Sequence, residues 1–382
     1  MQSFPHFFQD PPMLPYFCPK LPSLEPRTVL ICPLDWGIGH ATRCVPVIRR
    51  FTEKGFRVII AADGRPLEFL KREFPAIPYL IFPGTSIRYP EGAGFAWRMM
   101  RLTPKFLLEI FREHRRLKQL VKQTGAEIVV SDNRYGLWSK KCHTILITHQ
   151  LSIEAPKRLK WLRTWLDTAV RLFVEKFDEC WVPDFEQPVG LAGRLSHPQR
   201  RPRNLLYVGI LSRFGLKDLF HDPPVPNGFE IMVLLSGPEP QRTILEEKIA
   251  SQLLATDLRT IIVRGLTEKD ETKDLAPHIR MVSHLETPAL RALMNEVLVV
   301  IARSGYSSVM DLVSMGKRAI FIPTPGQTEQ EYLAKNLMEK KIFFSMSQDE
   351  FDLIYALGMS KNFPGMVLEN DYKVLEEAIG RL

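Results

Sequence analysis

The chain has 382 residues, and at about 150 residues per domain this length predicts two domains or three. Hydrophobic residues make up 45% of the chain, charged residues 25% and aromatic residues 10%, a composition that excludes a wholly disordered, collagenous or coiled-coil protein. No stretch approaches the ~20 uninterrupted apolar residues that a membrane helix needs, and the first residues lack the basic start and apolar run of a signal peptide. The sequence therefore predicts a protein that stays in the cytoplasm.

Cysteine usage and charge further narrow the class of protein. The five cysteines are scattered and form no C-x-x-C pair, which argues against a disulfide framework and against a zinc site. Residues 1–210 carry a net charge of +13 and residues 211–382 a net charge of −5. A basic half favours an anionic surface such as a membrane or a nucleic acid, although a solvated basic face would have the same composition.

The first half of the chain alternates between strand and helix patterns. Residues 1–26 are rich in proline and aromatic residues without periodicity, so we expect an irregular extension there. From residue 27 a strand, a glycine turn and a helix follow, and the helix ends at Gly55. Further strands are expected at 56–63, 126–132, 144–149 and 178–184. This alternation predicts a parallel sheet covered by helices, a Rossmann-like domain over residues 27–215.

The second half repeats this organisation after the proline-rich segment 221–228. Its strands are expected at 230–237, 259–265, 279–285, 296–303 and 318–323. They predict a second Rossmann-like domain over residues 216–382, whose last helix can pack back on the first domain. The expected fold class is therefore α/β, with two parallel-sheet domains. In open parallel sheets ligands bind beyond the carboxyl ends of the strands, so the loops after strands are the candidate sites.

The loop after the first strand, LDWGIGHAT, is the first such candidate. Gly37 and Gly39 permit a tight turn, and His40 begins the next helix. A histidine in this place can act as a general base near neutral pH, or it can pack under the loop. The G-x-G pattern is also similar to a dinucleotide fingerprint, but Thr42 stands where the third glycine belongs. Asp63 could hold a ribose, so a nicotinamide-dependent enzyme stays an alternative.

The most distinctive segment is ARSGYSSVMDLVSMGKRAIFIP, which reads as strand, turn, helix and strand. Ser304 and Gly305 open the helix, where free N–H groups and the positive end of the helix dipole favour an anion such as a diphosphate. Asp311 lies six residues beyond Gly305 and could accept hydrogen bonds from the hydroxyls of a ribose. The next loop, TPGQTEQE, carries groups of the type that bind sugar hydroxyls, at Gln327, Gln330 and Glu331.

Taken as an ordered set, the G-x-G-H motif at 37–40, this segment and the QTEQEY loop resemble the GT-B glycosyltransferases. The resemblance is to glycosyltransferase family 28, which includes the bacterial peptidoglycan N-acetylglucosaminyltransferase, and it extends over most of residues 28–380. It implies two domains that face each other across a cleft, with a UDP-sugar bound by the C-terminal domain and the acceptor by the N-terminal domain. It also implies that a hexose, for which N-acetylglucosamine is one candidate, is transferred with inversion and with no cofactor and no metal. The absence of a D-x-D motif agrees with this.

The resemblance assigns roles to individual residues. His40 becomes the catalytic base, and the acceptor-side residues are Gly37, Gly39, His149 and Gln150. The implied donor site comprises Ser236, Gly237, Arg242, Leu285, Arg303, Ser304, Gly305, Tyr306, Asp311, Gln327, Gln330 and Glu331. Asp311 stands where better-known members have Glu, and Glu331 stands where they have a second Gln, so the identity of the sugar stays open.

The basic half suggests a second partner besides the nucleotide-sugar donor. Residues 97–123 and 157–165 mix basic side chains with tryptophan, methionine, leucine and phenylalanine. This mixture suits an anionic membrane surface, and hence a lipid-linked acceptor and a peripheral location on the inner membrane face. An ordinary amphipathic helix, acting on a glycan acceptor away from any membrane, would show the same pattern. Nucleic acid is not expected, because no recognised nucleic-acid motif accompanies the charge.

Two other functions remain open on the same scaffold. A nucleotide-sugar hydrolase or epimerase would use an equally placed histidine or carboxylate. A non-catalytic module that binds a sugar nucleotide would keep the donor site alone.

Overall fold

The computed structural model describes residues 25–84, 95–153, 163–186, 190–215, 223–225, 228–368 and 372–382. Its first domain has the strands β1 (Thr28–Pro33), β2 (Arg57–Ala62), β3 (Tyr79–Ile81), β4 (Ile128–Asp132), β5 (His143–Ile147), β6 (Glu179–Val182) and β7 (Leu205–Tyr207). The helices of this domain are α1 (Ile38–Glu53), α2 (Gly64–Glu73), α3 (Phe95–Thr124) and α4 (Arg163–Val174). The seven strands form one parallel sheet in the order β3-β2-β1-β4-β5-β6-β7.

The second domain has the strands β8 (Ile231–Leu234), β9 (Thr260–Val263), β10 (Thr272–Ala276), β11 (Ile279–Val282), β12 (Val299–Ala302), β13 (Ala319–Phe321) and β14 (Phe344–Ser345). Its helices are α5 (Gln241–Leu253), α6 (Thr287–Glu296), α7 (Tyr306–Ser314), α8 (Thr328–Glu339), α9 (Leu353–Ser360) and α10 (Lys373–Gly380). The order is β10-β11-β9-β8-β12-β13-β14, with β10 antiparallel to β11 and the other pairs parallel. The predicted class, two Rossmann-like domains with parallel sheets, is confirmed.

Burial explains why the central strands are so apolar. All six residues of β1 are buried, because helices cover both faces of the sheet. The largest core cluster contains residues of both domains, including Trp181 from the first and Met310 from the second. The two domains therefore pack against each other through a shared apolar core.

The chain end returns to the first domain. Helix α10 packs on α1, and Arg50 on α1 forms an ion pair of 3.1 Å with Glu376. The Tyr372 hydroxyl donates to the carbonyl of Ser212, in the segment that connects the domains. Most of the predicted N-terminal extension lies outside the described residues, as do residues 157–162 of the second basic patch. Within the described part of the chain, every helix is too short or too polar to cross a membrane.

Candidate active site

A buried carboxylate and a buried guanidinium hold His40 at the start of α1. Asp132, the last residue of β4, accepts from Arg43 Nε at 2.6 Å and from Arg43 Nη2. His40 Nδ1 lies 3.1 Å from Asp132 Oδ1, and the His40 side chain is 18% exposed. Because β1 and β4 are neighbours in the sheet, the loop after β1 and the end of β4 meet at one edge.

These contacts assign the tautomer of His40. Arg43 Nη2 lies 3.0 Å from His40 Nδ1, but the guanidinium protons have a stronger acceptor in Asp132. We therefore assign the proton to Nδ1, donated to Asp132, which leaves Nε2 with a free lone pair. Burial and the charge of Arg43 lower the pKa of His40, against the opposing effect of Asp132. Burial alone would raise the pKa of Asp132, but Arg43 and His40 bring it to about 2.

A second polar chain crosses the cleft between the domains. Arg43 Nη1 lies 3.3 Å from His149 Nδ1, and His149 Nε2 lies 2.9 Å from Glu329 Oε1 on α8. Gln150 also donates to the Glu329 carboxylate. The His149 ring stacks on Tyr306, with ring centroids 4.3 Å apart. Polar and aromatic groups of the two domains are thus in direct contact next to His40.

The loop that carries Gly37 and Gly39 faces the N-terminus of α7. Ser307 Oγ donates to the Gly39 carbonyl at 2.7 Å. A Cβ added to Gly39 would lie 3.1 Å from Ser307 Oγ, so only glycine leaves this approach unstrained. Gly37 directly precedes α1 with a φ of +128°, a backbone conformation that L side chains rarely adopt. Gly37 therefore serves the turn, and Gly39 the close approach of α1 to the second domain.

Three predicted donor residues have buried side chains that are bound within the protein. Arg303 is fully buried, and its guanidinium donates to the carbonyls of Ile322, Pro323 and Gln241 and to Gln348 Oε1. The hydroxyl of Ser304, also fully buried, donates to the Gln330 carbonyl at 2.9 Å. The Tyr306 hydroxyl donates to the Pro183 carbonyl of the first domain. These hydrogen bonds all go to groups of the protein, and the assignment of the three side chains to the donor stays a prediction.

Arg242 lies in the first turn of α5, where the prediction placed it beside the donor phosphates. Its guanidinium is already bound by two carboxylates, Glu239 and Glu246, each at 2.6 Å. A third contact joins it to the hydroxyl of Thr243. A phosphate contact by Arg242 would require exchange of these ion pairs.

Asp311 is buried on α7 and faces the segment that connects the domains. Ser212 Oγ donates to Asp311 Oδ1 at 2.7 Å, and Arg213 Nε lies 3.5 Å from Asp311 Oδ2. Burial raises the pKa of Asp311 despite the neighbouring Arg213. Arg213 is 4% exposed and contacts the faces of Phe69 and Phe214. Its Nε and Nη1 have no hydrogen-bond partner among the described residues.

The remaining predicted donor residues lie in loops after strands of the second sheet or in the first turn of α8. Gln330 is buried, and its Oε1 accepts from the backbone N–H of Thr324 at 2.8 Å. Glu331 is exposed and accepts from the N–H of Gly326 in its own loop. The others are Gln327 before α8, Leu285 after β11, Ser236 and Gly237 after β8, and Gly305 before α7.

Comparisons with known proteins bear on the family and the fold of the chain. Residues 246–357 match the Glycosyltransferase family 28 C-terminal domain. An uncharacterized glycosyltransferase of Methanosarcina acetivorans is 21% identical over 317 residues, covering 77% of this chain and 79% of that protein. The chain is a glycosyltransferase of the GT-B type.

Solved structures show the same fold at low identity. MurG of Acinetobacter baumannii is 13% identical with a TM-score of 0.53, and the match covers 94% of this glycosyltransferase and all of that chain. The spinosyn rhamnosyltransferase SpnG, in a complex with thymidine diphosphate, is 10% identical with a TM-score of 0.58, covering 93% and 95% of the two chains.

Four polar residues of this glycosyltransferase site were not found from the sequence: Arg43, Asp132, Arg213 and Glu329. Asp132 could have been found, because it ends a predicted strand next to the strand that precedes His40. Arg43 lies one helical turn beyond His40, which is the spacing of neighbours on one helix face. Glu329 lies within the QTEQEY loop, between the predicted residues Gln327 and Gln330. Arg213 reaches the site only through tertiary contacts, and no local pattern marks it.

Proposed function

We propose that this glycosyltransferase moves a hexosyl group from a UDP-sugar to an acceptor hydroxyl by a single inverting displacement. The observation that carries the proposal is the Asp132–His40 pair at the cleft, opposite the N-terminus of α7. Ser307 and Gly39 bring the two elements to 2.7 Å. A general base on one domain and a site for an anionic leaving group on the other are what such a displacement requires.

In the proposed step, His40 Nε2 takes the proton from the acceptor hydroxyl as its oxygen attacks the anomeric carbon. The bond from that carbon to the UDP oxygen breaks on the opposite face, and the electron pair leaves with UDP. Asp132 stabilises the imidazolium that forms, since its carboxylate accepts the Nδ1 proton. Backbone N–H groups at the start of α7 stabilise the charge that develops on UDP. This route involves no cofactor and needs no divalent metal.

Arg213 and Asp311 support a nucleotide at the centre of the molecule. The Arg213 guanidinium is buried against aromatic faces, and its Nη1 has no hydrogen-bond partner among the described residues. A buried donor without a partner costs about 1–3 kcal/mol, and a ligand with acceptor oxygens would remove that cost. The base and ribose of a nucleotide provide such oxygens.

The identity of the bound nucleotide is tested by calorimetric titration with UDP, TDP, ADP, GDP and NAD. We expect UDP to bind best. The variant Arg213→Lys should bind UDP about fivefold to tenfold more weakly, since a lysine cannot reproduce the fork of donors. Asp311→Asn should also bind UDP more weakly. Arg280→Lys, in an exposed ion pair with Asp274 on the edge strand β10, is the matched control. Selective binding of NAD, or of no nucleotide, would exclude the donor assignment and favour the nicotinamide enzyme.

Product analysis separates the transferase from its alternatives. UDP release should require an acceptor and should fall at least 100-fold in His40→Ala. Free sugar formed at the same rate without an acceptor would indicate a hydrolase, and an isomerised sugar nucleotide an epimerase. UDP binding without turnover on any acceptor would indicate a binding module. Turnover that persists in excess EDTA is expected if no metal takes part.

We further propose that the acceptor is lipid-linked and is reached at an anionic membrane surface. Helices α3 and α4 pack on one face of the first sheet. Trp138 stacks on His114 of α3 and lies under Lys176, two residues after the end of α4. The outer side of these helices exposes large apolar side chains at Leu108, Phe111, Trp165 and Leu172. Exposed basic residues accompany them at Arg112, Arg115, Arg116, Lys118 and Lys122. Each basic residue near such a surface is worth about 1 kcal/mol.

Co-sedimentation with vesicles tests this surface. The protein should bind vesicles that contain phosphatidylglycerol at physiological salt and should not bind purely zwitterionic vesicles. The double change Phe111→Ser and Trp165→Ser should abolish binding without loss of UDP binding. Ile354→Ser with Tyr355→Ser removes equally exposed apolar side chains from α9 in the other domain and is the matched control. No binding, or equal loss in both variants, would leave only a solvated face and a glycan acceptor.

A further inference from the structure

Three adjacent strands of the second sheet end at one place. Strands β8, β12 and β13 are neighbours in the order β8-β12-β13. Gly237 lies three residues after the end of β8, Gly305 three residues after the end of β12, and Thr324 three residues after the end of β13. Because carboxyl ends of parallel strands share one edge, these positions surround a common space above β12.

The two glycines place no side chain of their own between these loops. A Cβ added to Gly237 would have only Thr324 Oγ1 within 4 Å, at 3.8 Å. A Cβ added to Gly305 would have only the Gln330 amide nitrogen in reach, at 4.0 Å. Gly237 also has a φ of +100°, which L side chains rarely adopt. The neighbours that surround the space are thus a hydroxyl and an amide N–H₂, both hydrogen-bond donors.

Thr324 presents a hydroxyl that the protein itself leaves without a partner. Its side chain is 2% exposed, and its Oγ1 has no hydrogen bond among the described residues. Its backbone N–H is satisfied by Gln330 Oε1 at 2.8 Å, which fixes the orientation of the residue. Buried polar groups are nearly always hydrogen-bonded, so an unpartnered buried hydroxyl beside Gly237 indicates a ligand with an acceptor atom.

The charge beneath the space favours an anion. Arg303, the residue that follows β12, is fully buried and donates only to carbonyl and amide oxygens among its described contacts. Its positive charge therefore has no carboxylate partner there. The N-terminus of α7, opened by Gly305, adds free N–H groups and the positive end of a helix dipole.

We propose that Thr324 Oγ1 donates a hydrogen bond to the β-phosphate of the nucleoside diphosphate donor. The inference rests on the proposed function, which places a UDP-sugar in this domain, and adds a phosphate-binding residue to it. The anion is bound there by hydroxyl and N–H groups and not by a contacting guanidinium, since Arg242 is engaged by two carboxylates. The β-phosphate becomes the terminal group of the leaving UDP, so the bond strengthens as the sugar departs.

The test compares UMP and UDP binding by calorimetry in the wild type, Thr324→Val and Thr324→Ser. Valine keeps the shape and removes the hydroxyl, so UDP should bind about tenfold more weakly or worse, since the lost bond is to a charged group. UMP binding should be unchanged, and Thr324→Ser should retain most of the UDP affinity. The unliganded Thr324→Val protein should melt at the same temperature as the wild type or higher, because it lacks a buried unpartnered hydroxyl.

Thr267→Val is the matched control, because Thr267 is also fully buried with an unpartnered hydroxyl but follows β9. Its UDP affinity should equal that of the wild type. Suppose that the wild type binds UDP. If Thr324→Val then binds UDP equally well, or loses affinity for UMP and UDP to the same extent, the β-phosphate contact is overturned while the proposed function stands. If the wild type binds no UDP, both are overturned. Should Thr324→Val fail to fold, Thr324→Ser and Thr324→Ala decide the question by the presence or absence of the hydroxyl.

Discussion

The chemistry of His40 is set by two neighbours of opposite charge. Arg43 and burial favour the neutral imidazole, and Asp132 favours the imidazolium. Because Asp132 is held by Arg43 at 2.6 Å, its carboxylate stays charged and fixed while it accepts the His40 proton. A neutral, oriented imidazole with a free Nε2 is the state that a general base needs before the reaction.

Asp132→Asn tests this balance through the pH dependence of kcat/KM. In the wild type the acidic limb should lie below the ordinary histidine value of 6.5, because activity is lost when His40 becomes protonated. The carboxylate of Asp132 raises the pKa of His40, so its removal should move the acidic limb to lower pH. The maximal kcat should fall by about 10²–10³, the range over which general bases contribute.

A melting curve and UDP titration of Asp132→Asn are the controls, because Arg43 also loses its charged partner. Retained UDP affinity with reduced kcat would place the defect in the chemical step. A limb that stays in place, or moves to higher pH, would contradict the assignment of His40 and Asp132 as a pair.

At the scale of elements, the central strands were predictable and the edge strands were not. The ten strands expected from the sequence are all present, and the four that were missed, β3, β7, β10 and β14, are the edges of the two sheets. Central strands are buried on both faces and read as continuous apolar runs. Edge strands are partly exposed, as in the sequence TKDLA of β10, so their hydrophobic signal is weak.

The site was predictable to the level of loops and not of side-chain directions. The rule that ligands bind beyond strand ends located His40, Gly305 and Gln330. The rule gave no information on Arg303, which lies in the same turn but points into the protein to join the loops after β8, β12 and β13. Local sequence cannot distinguish an arginine that binds phosphate from one that binds carbonyls, since both need the same fork of donors.

Arg303→Lys tests the role of this buried arginine in holding the three loops. A lysine ammonium cannot reach carbonyls on both sides, so some buried oxygens lose their hydrogen-bond partner. Each such loss costs about 1–3 kcal/mol of stability. We expect the free energy of unfolding to fall by about 2–4 kcal/mol, measured by urea denaturation. Arg280→Lys, in an exposed pair with Asp274, should cost less than about 1 kcal/mol. Equal effects of the two changes would contradict the scaffold role of Arg303.

At the scale of the whole molecule, the two domains are in contact where the substrates are proposed to meet. Ser307 contacts Gly39, Glu329 contacts His149, and Thr287 donates to Glu73 at 2.8 Å. These contacts bridge the cleft from its centre to one end. A donor that enters between α1 and α7 must separate the domains first, so the strength of these bridges limits access to the site.

Glu329→Ala is expected to open the cleft. Its carboxylate receives hydrogen bonds from His149 and Gln150, and bonds to a charged group contribute about 1.5–3 kcal/mol. Loss of that amount shifts the equilibrium between closed and open forms at least tenfold towards open, so small-angle X-ray scattering should give a larger radius of gyration for the unliganded variant. Glu331→Ala is the matched control, because Glu331 lies on the same helix and, among the described residues, its carboxylate accepts from Gly326 of its own loop. Equal radii for wild type and both variants would mean that the apolar contacts, and not Glu329, hold the domains together.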